Sequence, residues 1–289
     1  MKEIGKTPKL LDREFFLRVI SALVLAAFCL TVTWRGGLTF TLFCVALAFL
    51  VLFEFNKITA SAAPFICRLF SYFAFLIIAY AWVTDQMQMS VSIALLAASL
   101  IGIFEFTLRR TIWSGVGVLY SLLPMMAMSE LREESLSGLI AIMILFACVW
   151  GSDIFAYFAG RLIGGPKLAP RISPKKTWSG FIGGLGGALL LSSLFVYFAG
   201  YRVSSLLILA VCLLAIVSQL GDLAESMLKR KFDVKDSGNL IPGHGGVLDR
   251  IDGLIFAAPM LWLIGWIALR NTSLTTSHAE SLFNALMVP

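Results

Sequence analysis

Charge is what this sequence has least of. Asp, Glu, Lys and Arg make up 14% of its 289 residues, against about 25% in a soluble domain. Histidine is scarcer still, with two in the whole chain, and the five cysteines (Cys29, Cys44, Cys67, Cys148, Cys212) show no CxxC spacing. Those shortages exclude a soluble globular enzyme, a zinc site and a disulfide framework. The cysteines sit mostly in apolar runs and read as small hydrophobes. Most of the chain is apolar: 59% hydrophobic residues with a mean hydropathy of +0.89 describe an integral membrane protein. A net charge of +6 would suit nucleic acid in a soluble protein. In a membrane protein the placement of Lys and Arg carries the information instead, and no nucleic-acid partner is expected.

Apolar runs near bilayer-crossing length recur at 15–33, 38–53, 65–83, 90–107, 111–128, 137–158, 178–200, 204–222 and 253–270. They predict an all-α, polytopic fold of about nine transmembrane helices. The first run follows basic residues as a signal peptide would, but the many spans after it make it an uncleaved first helix. With the N-terminus in the cytoplasm, 19 of the 23 Lys and Arg residues fall inside, leaving Arg35, Arg132, Arg202 and Arg270 outside. Removing one middle span would scramble that asymmetry. The chain divides into an N-terminal region, 1–136, with about five spans, and a C-terminal region, 137–289, that holds two hydrophilic loops, 159–177 and 229–252. Both loops fall on the cytoplasmic side, so chemistry is expected there.

Carboxylates close to apolar spans are costly and mark function. Asp153 lies in "VWGSDIFAYFAG", Asp222 and Glu225 in "SQLGDLAESMLKR", and Asp249 and Asp252 in "GVLDRIDGLIF". Residues three apart share a helix face, so each of the last two pairs presents two acids to one side. Hard oxygen donors without a Cys or His set point to Mg²⁺, and two pairs suit two ions; the bland alternative is that they only neutralise nearby Lys and Arg. Lys229, Arg230, Lys235 and Arg250 in one loop, and Lys167, Lys175 and Lys176 in the other, are placed to converge on phosphates. Lys231 and Arg171 read better as solvated positive-inside charge. "PGHGG" (242–246) lets backbone N–H groups approach an anion, and His244 either orients a phosphate or metal-bound water or is simply a loop residue. Ser173 and Thr177 in "RISPKKTWSGFIGG" are candidate helix caps, "GGLGG" (183–187) a close helix contact, and His278 has no neighbours that suggest a role. "LFEF" (52–55) and "IFEF" (103–106) both end a span, but four residues do not establish a repeat.

No Ser-His-Asp or Cys-His set emerges. Metal carboxylates, phosphate cations and a glycine loop suit direct nucleotidyl transfer, in which the protein positions reactants and the substrate supplies the nucleophile. A site at the membrane boundary adds a lipid to the soluble substrate.

The stretch "SMLKRKFDVKDSGNLIPGHGGVLDRID" (226–252) resembles the signature of the phosphatidate cytidylyltransferase (CDP-diacylglycerol synthase) family. The pattern is Ser-x-apolar-Lys-Arg, four residues, Lys-Asp-x-Gly, then Pro-x-His-Gly-Gly-x-x-Asp-Arg-x-Asp. It is met at Ser226, Lys229, Arg230, Lys235, Asp236, Gly238, Pro242, His244, Gly245, Gly246, Asp249, Arg250 and Asp252. The likeness covers roughly 148–258, and upstream only hydropathy matches.

The resemblance implies transfer of the cytidylyl group of CTP to phosphatidate, giving CDP-diacylglycerol and pyrophosphate for phospholipid biosynthesis. It further implies a homodimer in the cytoplasmic (inner) membrane, its site facing the cytoplasm, with two Mg²⁺ ions and room for a monovalent cation such as K⁺. Carried onto this chain, it makes Asp222 and Asp249 the leading metal ligands, with Asp153, Glu225 and Asp252 beside them. Lys229, Arg230, Lys235, Asp236, His244 and Arg250 join the catalytic set. Ser173, Lys175, Lys176, Thr177, Ser226, Gly245 and Gly246 would line the substrate cavity. CDP-alcohol phosphotransferases are excluded by the lack of Asp-Gly-x-x-Ala-Arg. An ion-coupled transporter, the other alternative, would keep its acids near mid-membrane.

Overall fold

A computed structural model describes residues 13–240, 245–270 and 277–288. Among the described residues the chain forms nine long helices: α1 (Arg13–Arg35), α2 (Gly37–Ile58), α3 (Phe65–Val83), α4 (Met87–Arg109), α5 (Trp113–Arg132), α6 (Leu136–Leu162), α7 (Trp178–Phe198), α8 (Ser205–Lys231) and α9 (Leu248–Arg270). A short helix, α10 (His278–Leu286), follows them. Seven of the described helices, α2, α3, α4, α6, α7, α8 and α9, are long and apolar enough to cross a membrane.

The helix that falls short by composition, α5, explains itself by position. It packs on α2, α3, α4, α6, α9 and α10 and is buried along most of its length, including Ser114, Gly115, Gly117, Ser121 and Pro124. A helix shielded from lipid by its neighbours needs small surfaces for close approach more than it needs hydrophobicity. Its own Leu122, Met125, Met126 and Leu131 are fully buried, as are Phe40, Leu52, Ile78, Leu145 and Phe146 of its neighbours. The lipid-facing rim carries exposed Phe73, Leu76, Leu96, Leu100, Ile182 and Leu209.

Helix ends follow the chain's few polar side chains. Ser135, Thr177, Ser204 and Ser277 each accept the N–H three residues on, from Gly138, Gly180, Leu207 and Glu280, which satisfies one orphan donor per helix. Thr177 thus caps α7 as expected, whereas Ser173 opens a strand. Gly183, Gly184 and Gly187 of "GGLGG" press α7 onto α6: a Cβ at Gly187 would lie 2.6 Å from Gly151 O, and one at Gly184 would lie 3.0 Å from Ser152 O. All five cysteines are free, and Cys44, Cys67 and Cys148 are buried.

Two expectations need correction. The hydrophilic loops are shorter than their charge suggested, because α6 runs on to Leu162, α8 to Lys231, and α9 starts at Leu248. Basic ends of helices are compatible with the C-terminal dipole, so Lys229 and Arg230 continue α8 instead of leaving it. The all-α class holds, with two short antiparallel pairings at its edges: β1 (Lys167–Ala169) with β2 (Ser173–Thr177), and β3 (Arg202–Val203) with β4 (Met287–Val288). Finally, His278 does have partners, its Nδ1 lying 3.2 Å from Glu130 Oε1 while its ring stacks on Trp262 at 5.2 Å.

Candidate active site

Four helices and the β1–β2 hairpin meet at one end of the bundle. The C-terminal half of α8 lies beside the N-terminal half of α9, and Gly221 allows the contact: a Cβ there would stand 2.6 Å from Asp252 O. On α8 the spacing Asp222, Glu225, Ser226, Lys229 puts one polar stripe on a single face. Across from it, Asp252 completes a group in which Asp222, Glu225 and Asp252 each offer a carboxylate oxygen within 4.8 Å of the others. Glu225 is buried to 1% exposure, and among the described residues its Oε1 has no hydrogen-bond partner. Asp153, exposed on α6, interacts electrostatically with Asp222 and Asp252.

Two lysines answer these acids. Lys176 of β2 pairs with Asp222. Lys229 lies 2.9 Å from Glu225 Oε2 and 2.7 Å from Asp249 Oδ1, bridging the two with one ammonium. Ser226 Oγ stands 3.5 Å from Asp222 Oδ1. Arg230 Nε donates to Ile172 O at 3.4 Å, joining α8 to the hairpin.

Asp249 is engaged on both oxygens. Its Oδ1 faces Lys229, while Oδ2 accepts from Ser237 N at 3.0 Å, Ser237 Oγ at 2.9 Å and Gly246 N at 3.0 Å. The glycines here serve closeness of backbone to carboxylate. Gly245 takes φ +84°, and a Cβ on it would come within 3.1 Å of Asp249 Oδ2. Lys235, Asp236 and Arg250 are exposed around this loop, as is Lys175 on the hairpin; Ser173 is half-buried. Pro242 and His244 lie outside the described residues.

Residues that the sequence reading did not select hold the loop from beneath. Glu54, on α2, has no solvent exposure. Its Oε1 accepts from Val247 N at 3.0 Å, and its Oε2 from Leu248 N at 2.8 Å and Ser237 Oγ at 2.9 Å. It therefore caps the N-terminus of α9 from another helix. Glu105, in the matching Phe-Glu-Phe, does the same for α5, accepting from Trp113 N at 3.0 Å and Ser114 N at 2.7 Å. The signal was present: an acid inside an apolar run.

Such a set of oxygen donors flanked by ammonium groups can bind a divalent cation and phosphoryl oxygens together. The comparisons with known proteins agree with that chemistry. A model described as the cytidylyltransferase family matches residues 16–268. A phosphatidate cytidylyltransferase of Brucella abortus (strain 9-941) is 42% identical over 255 residues, covering 86% of this chain and 93% of the relative. One from Staphylococcus saprophyticus is 35% identical over 254 residues, covering 85% and 96%. That of Bacillus subtilis (strain 168) is 34% identical over 258 residues, covering 86% and 96%. Matched along nearly its whole length, from the first helix through the carboxylate-bearing start of α9, the chain belongs to the cytidylyltransferase family.

Proposed function

We propose that the chain transfers the cytidylyl group of CTP to phosphatidate, leaving CDP-diacylglycerol in the membrane and releasing pyrophosphate. The observation that carries this reading is the convergence of Asp222, Glu225 and Asp252 beside Lys176 and Lys229, in a chain whose relatives bear that activity in their names. A phosphate oxygen of phosphatidate attacks the α-phosphorus of CTP. The bond from that phosphorus to the bridging oxygen breaks, and pyrophosphate leaves with the electron pair. The lipid supplies the nucleophile, so no side chain has to form a covalent intermediate.

The donor set fits Mg²⁺: carboxylate oxygens only, one of them, Glu225 Oε1, buried and without a partner among the described residues. Asp222, Glu225 and Asp252 would hold one ion, with Asp153 alongside. Asp249, expected among the metal ligands, stands outside that group: its Oδ1 is taken by Lys229 and its Oδ2 by three donors, so it reaches the acids only through the ammonium it shares with Glu225. Bound there, magnesium supplies charge neutralisation for the phosphoryl oxygens.

The chain's own groups do the rest. Lys176, with Lys175 and Arg230 around it, binds triphosphate oxygens; Lys229 holds Glu225 and Asp249 in place from between them. Ser173 and Ser226 line the same approach, with exposed Lys235, Asp236 and Arg250 at its loop side. The excess of Lys and Arg at this end of the bundle supports a cytoplasmic site and the full nine-span topology. Purified protein in mixed micelles with labelled CTP, phosphatidate and Mg²⁺ should form CDP-diacylglycerol and pyrophosphate in equal amounts. No product across lipid and Mg²⁺ concentrations would overturn the reading.

A further inference from the structure

The geometry points to Glu54 as a positioning residue for the reaction: a carboxylate on α2 that fixes Asp249, and through it Lys229, by way of Ser237. This inference rests on the cytidylyl-transfer reading. Its basis is a continuous chain of short contacts. Glu54 Oε2 accepts from Ser237 Oγ at 2.9 Å, and the same hydroxyl lies 2.9 Å from Asp249 Oδ2. Asp249 Oδ1 then takes Lys229 Nζ at 2.7 Å, and that ammonium reaches Glu225 of the acid cluster at 2.9 Å. A hydroxyl carries one proton, so Ser237 shares it between two carboxylates and is oriented by both.

The loop is shaped around this acid. A Cβ on Gly238 would stand 2.5 Å from Glu54 Oε1, and one on Gly246 2.6 Å from Oε2. Two motif glycines are thus needed because backbone closes directly over the Glu54 carboxylate. A bare carboxylate among Phe53, Phe55 and the rest of α2 would be expensive. Here three donors from one loop and helix start compensate it, so that Glu54 and the segment hold each other in place.

Glu105 provides the comparison that separates positioning from mere stability. It is equally buried and caps α5 with the same chemistry, but among the described residues its hydrogen-bond partners are Thr111, Trp113 and Ser114, none of them in the loop or the acid cluster. Glu54→Gln places an amide N–H among N–H donors. It should lower kcat about tenfold or more, as loss of a partner behind a metal ligand does, and raise the Mg²⁺ concentration for half-activity. Glu105→Gln should lower thermal stability while the folded protein keeps its kcat and Mg²⁺ dependence. Ser237→Ala should reproduce most of the Glu54→Gln loss, and the double variant should lose little more than either alone.

Hydrogen exchange of the 237–249 segment gives a readout independent of turnover: faster in Glu54→Gln, unchanged in Glu105→Gln. Wild-type-like kcat and Mg²⁺ dependence in a folded Glu54→Gln protein, or additive losses with Ser237→Ala, would overturn the inference. Should Glu54→Gln fail to fold, Ser237→Ala decides it alone, since Val247 and Leu248 still cap onto Glu54. Failure of the wild type to turn over CTP would instead reject the proposed reaction, leaving the exchange result to stand by itself.

Discussion

Lys176 on the β1–β2 hairpin is ion-paired with Asp222 on α8, tying the strand that precedes α7 to the carboxylate cluster. The pair is partly open, with the two side chains 25% and 33% exposed, so an incoming phosphate can reach the lysine without unfolding anything. Lys176→Met should therefore raise the KM for CTP and lower kcat, while the protein stays folded; steady-state kinetics in micelles check it. Lys176→Arg should retain part of the activity, because guanidinium keeps the charge but changes its reach.

Asp222→Asn removes charge from the acid cluster. Turnover should fall about a hundredfold, the upper end of losses around metal sites, with membrane insertion and thermal unfolding close to normal. Retained turnover would remove Asp222 from the site.

Chelation should stop turnover, and Mg²⁺ should restore it. Glu225→Gln and Asp252→Asn should each shift the Mg²⁺ titration to higher concentration, since each removes one donor from the group of three. An Mg²⁺ titration of initial rate measures this directly, and unchanged titrations would place the ion elsewhere.

Lys229→Met leaves Glu225 and Asp249 facing each other without the ammonium between them. Breaking one side of so enclosed an arrangement costs about 3 kcal/mol. Thermal unfolding in detergent should show a marked loss that added Mg²⁺ partly recovers, because a divalent ion can serve the same two carboxylates.

Gly246→Ala would drive a methyl group into Ser237 and Glu54 and should destabilise by about 1–3 kcal/mol, as overpacking does. Gly186→Ala, with nothing within 4 Å of its added carbon, should leave both unfolding and activity unchanged.

The sequence was legible where physics acts along the chain. Runs of Leu, Ile and Phe located the helices, the Thr177 cap was visible beside the first apolar turn, and the spacing Asp222–Glu225 told which face they share. It was opaque where physics acts across it. Nothing near residue 249 says that Asp249 would be wrapped by Ser237 and Gly246, or that Lys229 would stand between it and Glu225. Glu54 sits 183 residues from Ser237, and no local pattern links them. The glycine loop was expected to receive a substrate anion; one of its N–H groups, on Gly246, is given to Asp249.

The dependence of this loop on α2 has a consequence for biosynthesis. Glu54 enters the bilayer when Val247 and Leu248, its backbone partners 193 and 194 residues later, have not yet been translated. Until α9 arrives, the insertion machinery must tolerate a solitary acid in an oily helix. A nascent polypeptide cut short before Leu248 would keep most of its greasy spans, and would be anchored yet inert.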